Sequence, residues 1–268
     1  MSLDFTMDRY SHLCEAIVQS GYTPMTVHDY LETDRLPSRL AVVRHDVDVT
    51  PRHEQKIAQI EKGFGIRATY YFRYKRGVFR PDVMRQIASI GHEVGYHYEA
   101  MDKGKGNSQK ALEVFRHELE AFREVVEVKT ISMHGNPLTR WDNRDLWRDH
   151  DFRAFGICGE AYLSFDRSKV AYFSDTGRTW GPEFKMKDWL PPKPGSNDPP
   201  YAVPRVRSTD DLIDMMRKHQ CDHLYFNTHA GRWADSSLDW MRQSIEDQAV
   251  NVVKRMLALR RRIGGKRG

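Results

Sequence analysis

Short apolar runs with strand character alternate with helix-period stretches along almost the whole chain. That alternation restricts the fold to an α/β architecture. Tyr10, Leu13, Cys14, Ile17 and Val18 share one helical face that Gly21 ends. Strand-like runs follow at residues 40–45, 68–74, 93–98 and 128–134, with shorter ones at 154–158 and 170–174 and a last one at 224–228. Between them the pattern predicts helices over 50–63, with Pro51 at the first helical position, over 81–91, and over 108–125. Ser208 with Asp211 resembles a capping box for a helix reaching His219, and a long terminal helix starts near Asp235. Six of the twelve prolines fall in 190–204, which predicts a long surface loop.

Five of these strands deliver an ionisable residue at their C-terminal ends. The first ends in Asp46 and Asp48. Another carries His97 with Glu99 behind it, and the next ends in His134-Gly135-Asn136-Pro137. The remaining two end in Asp175 and His229. In parallel β/α folds that end is where sites assemble, because the following loops gather above a packed core. Each residue also has a plain structural role open to it. Asp46 and Asp48 suit a helix-capping turn, although residues at i and i+2 project to one side of an extended chain. His97 and His229 suit hydrogen-bonded core positions, and His134 and Asp175 suit turns.

Carboxylates and imidazoles without cysteines suit a divalent metal, zinc first, then nickel, cobalt or manganese. An ion with an open position lowers the pKa of bound water from 15.7 to about 7, the basis of metal-assisted hydrolysis. Three cysteines, odd in number and without a CxxC pair, offer no disulfide framework and point to the cytoplasm, as does a start without a leader pattern. No run approaches the ~18 apolar residues of a membrane span. The net charge of +5 gathers in the last turns (Arg255, Arg260, Arg261, Arg262, Lys266, Arg267), with no aromatic interleaving or motif that would make it a nucleic-acid site.

At these residues the sequence resembles the polysaccharide deacetylases of the NodB-homology, carbohydrate esterase type. Gly91-His92-Glu93-Val94-Gly95-Tyr96-His97 is similar to the run that leads into that family's metal motif. Arg44-His45-Asp46-Val47-Asp48 resembles its Asp-containing motif, and Asn227-Thr228-His229 its last motif. Ser132-Met133-His134-Gly135-Asn136-Pro137 stands where the family has Arg-x-Pro-Tyr. The set is most similar to the WbmS-like branch found with surface-polysaccharide genes. The resemblance implies an irregular (β/α) barrel with fewer than eight regular strands. It also implies a single domain, with core motifs over 40–233 and helices 8–33 and 235–263 packed on it.

It further implies removal of an N-acetyl or other N-acyl group from a sugar or glycan precursor in surface-polysaccharide biosynthesis, and the absence of an export pattern makes a nucleotide- or lipid-linked sugar, or a short glycan precursor, the expected substrate. Asp46 would be the general base, Asp48 and His97 metal ligands, and His229 the general acid, with the metal and backbone amides holding the oxyanion. The family's second metal histidine falls at Met101, its paired aspartates are separated here by Val47, and His134 replaces its arginine. His134 restores a two-His, one-carboxylate set, and Glu99 is the alternative. Glu99, Asn136, Asp175 and Trp180 are the expected sugar contacts. The departures also allow a degenerate barrel that binds carbohydrate without turnover.

Overall fold

A computed structural model describes residues 3–181, 185, 187–193, 195 and 197–264, with backbone alone at 249 and 253–264. The elements run α1 (Met7–Gln19), β1 (Thr23–Met25), α2 (Val27–Glu32), β2 (Leu40–Val47), α3 (Glu54–Gly63), β3 (Thr69–Phe72), α4 (Pro81–Ser89), β4 (Glu93–Tyr98), α5 (Ala100–Lys103), α6 (Ser108–Arg123) and β5 (Thr130–Met133). They continue with α7 (Leu146–Asp149), β6 (Gly159–Glu160), β7 (Ala171–Ser174), α8 (Thr209–Arg217), β8 (His223–Thr228) and α9 (Ser237–Gly264). The side chains of the basic C-terminal run lie outside the described residues. No helix among the described residues is long and apolar enough to cross a membrane.

All strand pairs are parallel, in the order β6-β5-β4-β3-β2-β8-β7, with β1 beside β2. The sheet curls into an open, irregular (β/α) barrel of seven strands along this path, as expected. β2 is its axis. One edge pairs with β8 from Leu40 to His45. The other pairs first with β1 and then, from Arg44, with β3. Every residue of β2 is buried. Between β6 and β7 no ladder runs among the described residues. Side chains span that gap: Tyr225 Oη donates to the Ala161 carbonyl (2.8 Å), and Phe165 stacks between Tyr30 and Tyr225 at 4.5 and 4.1 Å.

The period-2 alternation of β2 sorts its polar residues onto two faces. His45 turns toward the helices, where Glu61 accepts from Tyr10 Oη and Tyr70 Oη (both 2.6 Å) and meets His45 Nε2 at 2.8 Å. Arg44 and Asp46 turn to the other face. The fully buried guanidinium reaches Asp46 Oδ2 at 3.1 Å, donates to Tyr225 Oη at 3.1 Å and lies 4.2 Å over the Tyr162 ring. On β4, Tyr96 faces α6, and His97 and Gly95 share the opposite face. A Cβ at Gly95 would stand 2.4 Å from the Tyr71 ring and 2.7 Å from the Thr130 carbonyl, so glycine is required for this close approach.

Three expected boundaries moved. The helix expected from residue 50 begins at Glu54, because the Glu54 carboxylate takes the Arg52 and His53 amides at 2.6 and 3.0 Å and leaves Pro51 in the loop. The strand expected over 154–158 is instead a 3₁₀ turn, Phe152–Phe155, ended by left-handed Gly156, and the ladder starts at Gly159. A short strand and helix, β1 and α2, occupy a region expected to be helical only. The described residues of 190–204 carry neither helix nor strand, as expected.

Candidate metal and acid–base site

Asp48, Glu99, His134, Asp175 and His229 each stand one residue beyond a strand end, and His97 lies on β4. Asp46, Asp48, His97, His134 and His229 line one cleft of about 70 Å³. Asp48 is its centre. Oδ1 lies 3.3 Å from His97 Nε2 and 3.7 Å from His134 Nε2, and Oδ2 lies 3.6 Å from His229 Nε2. Burial raises the Asp48 carboxyl, but the three histidines win and hold it well below the ordinary range. Burial pushes His97 down, yet Asp46 and Asp48 carry it above its usual value.

Each imidazole has a polar neighbour at its other nitrogen. His97 Nδ1 is 3.0 Å from the Ser132 carbonyl, which fixes a proton on Nδ1 and leaves Nε2 facing Asp48. His134 Nδ1 lies 3.4 Å from Glu99 Oε2. Glu99 is itself held by Arg73 and by Lys103 Nζ at 3.2 Å. His229 Nδ1 meets Asp175 Oδ1 at 2.6 Å, while the His229 amide donates to Oδ2 and Arg232 pairs with Oδ1 at 3.0 Å. Burial would raise Asp175, but His229 and Arg232 lower it.

The residue types in the cleft, carboxylates and imidazoles, are of the kind that suit a divalent ion. Asp46 Oδ1 and Asp48 Oδ1 are buried without a hydrogen-bond partner, and a buried carboxylate oxygen left so is costly unless something else satisfies it. Two imidazole nitrogens face the second of them, giving two nitrogens and an oxygen, a borderline-hard set. Among the described residues, however, the one group of three or more donors lying within 4.8 Å of one another is elsewhere: His28, Glu32 and Cys158. That group can hold a metal, which agrees in general terms with a metal-using protein.

The expected sugar contacts divide. Glu99 and Asp175 stand behind His134 and His229 and orient them. Asn136 Oδ1 accepts the Leu138 amide at 3.0 Å and so shapes its own turn. Trp180 is not brought to the cleft: it is 2% exposed, packs against Phe5, Phe226 and Trp233, and donates to Thr209 Oγ1 at 3.0 Å. Met101 is buried in α5.

Tyr162, Thr176, Lys187, Asp188 and Asn227, none of them an expected site residue, also line the cleft, as does Arg232, whose sequence position suggests a phosphate contact. Asp188 accepts from Tyr162 Oη (3.1 Å), Thr176 Oγ1 (2.6 Å) and Asn227 Nδ2 (3.3 Å), and from Tyr172 and Ser174 hydroxyls. Burial opposes its charge, but these donors and Arg44 hold it far below the ordinary range. The hydroxyls at alternate positions 172, 174 and 176 were the available signal for a buried anion. No family model matches the chain, and no curated protein matches it.

Proposed function

We propose that the cleft is the active site of a divalent-metal-dependent hydrolase that removes an N-acetyl group from a sugar, as in the polysaccharide deacetylases of the NodB-homology type that its motifs resemble. One observation carries this reading. An unpartnered carboxylate oxygen of Asp48 is faced by the Nε2 atoms of both His97 and His134. These three residues would hold the ion, with zinc the metal best suited to them. Bound there, it supplies Lewis acidity toward the acyl carbonyl and the attacking water.

Asp46 takes a proton from water. Arg44 anchors its Oδ2 and leaves Oδ1 without a hydrogen-bond partner, open to that proton. His229 gives a proton to the departing nitrogen as the C–N bond breaks, leaving an amine on the sugar and acetate. Asp175 holds its ring for that task. Each proton-transfer group typically contributes about 10²–10⁴-fold. A nucleotide- or lipid-linked sugar handled in the cytoplasm is the proposed substrate.

The test is metal content by mass spectrometry on protein without a polyhistidine tag, beside amine release from N-acetylated sugars. Asp48→Ala and His97→Ala should each lose one equivalent of metal relative to wild type, together with chelator-sensitive turnover. Unchanged metal content in both variants would sink the proposal. Burial of Met101 where the family has a ligand favours a second reading, a barrel that binds carbohydrate without turnover. It predicts sugar affinity indifferent to chelator and no amine release.

A further inference from the structure

We propose that His28, Glu32 and Cys158 form a second divalent-metal site, suited to zinc, that fastens α2 to the lead into β6 at the opposite end of the barrel. The three residues offer an imidazole nitrogen, a carboxylate oxygen and a sulfur, all within 4.8 Å of one another. His28 and Glu32 stand at i and i+4 and so share one face of α2. A reciprocal capping box between Thr26 and Asp29 sets the start of that helix, and the His28 amide donates to Glu93 Oε2 at 3.0 Å.

Cys158 comes from the other side of a tight contact. Its neighbour Gly159 lies so near α2 that a Cβ there would stand 2.1 Å from Leu31 Cδ1. Helix and strand entry are therefore in contact before any ion arrives, which lowers the ordering cost of binding. The Cys158 amide and thiol both reach the Lys129 carbonyl, at 2.9 and 3.2 Å, so the sulfur is already positioned.

Thiolate, imidazole and carboxylate together select zinc over magnesium or calcium, with water free to complete four-coordination. Binding releases the thiol proton to solvent, and the thiolate and Glu32 offset both charges of the ion. Burial, together with Glu93 and Glu32, pushes the free thiol up to about 11. The site is separate from the cleft: His28 contacts Glu93 at the start of β4, and His97 lies four residues on, roughly 13 Å along the strand.

Cobalt(II) is the probe, added to chelator-stripped, untagged protein. Wild type should develop a thiolate-to-cobalt charge-transfer band in the near ultraviolet within two equivalents, the cleft taking the other, and zinc should displace it. Cys158→Ser should lack the band although Cys14 and Cys221 remain, and Asp48→Ala should keep it. Glu32→Gln, an exposed change that leaves folding untouched, should weaken cobalt binding by about tenfold or more, as even outer-shell losses do. No band in wild type, a band that survives Cys158→Ser, or unchanged affinity in Glu32→Gln would overturn the site.

Discussion

Three imidazoles surround Asp48, and what distinguishes them is the partner behind each ring. His97 leans on a neutral carbonyl, His134 on Glu99 and His229 on Asp175. A carboxylate behind a ligand raises its basicity, whereas one behind a general acid holds its tautomer. Two near-isosteric variants separate these roles. Glu99→Gln should weaken metal binding about 10–100-fold, with turnover recovering at high metal. Asp175→Asn should keep its metal while kcat falls about 10²–10⁴-fold. Metal titration beside amine release reads both, and the reverse pattern would refute the assignment. At this scale the sequence was legible wherever a strand periodicity framed a residue, as for Asp46, Asp48 and His97. Asp188 escaped because its segment has no period. Trp180 misled because nearness in sequence to the site says nothing of which way an indole packs.

A single strand, β2, carries both the proposed base and the charge that steadies it. Arg44 is fully buried, and removing it leaves Asp46 as a buried, uncompensated anion. Arg44→Met should therefore cost about 3–5 kcal/mol in urea denaturation. Adding Asp46→Asn to it should restore a large part of that loss, and an additive double variant would count against the pair. Strands such as Glu93–Tyr98 were readable to the residue because both faces of a parallel sheet are buried. The capping box was equally readable, with Asp211 in place of the usual longer side chain. Residues 154–158 were not. A short apolar run reads alike as buried strand or buried turn, and only the Asp151 cap and Gly156 at φ 70° decide for the turn.

Across the whole molecule the buried charges set how stability follows pH. Asp175 and Asp188 are lowered on folding, so their contribution is complete above about pH 3.9 and is lost as pH falls through their depressed values. His97 is raised, so its contribution is complete below about pH 6.5 and is lost as pH climbs through its elevated value. His92 is lowered by burial and works the other way, its contribution complete above about pH 6.5, so metal-free protein should be most stable at the upper end of the range from about pH 4 to 6.5. Thermal melts across that range check this, and a maximum above pH 7.5 would contradict it. The barrel's unladdered gap has a further consequence. Peptide hydrogens of β2 sit between neighbours on both edges, whereas β6 and β7 each lack one among the described residues. Isotope exchange with heavy water should therefore enter at the gap and reach β2 last, so that the strand bearing Asp46 is also the one that keeps its protons longest.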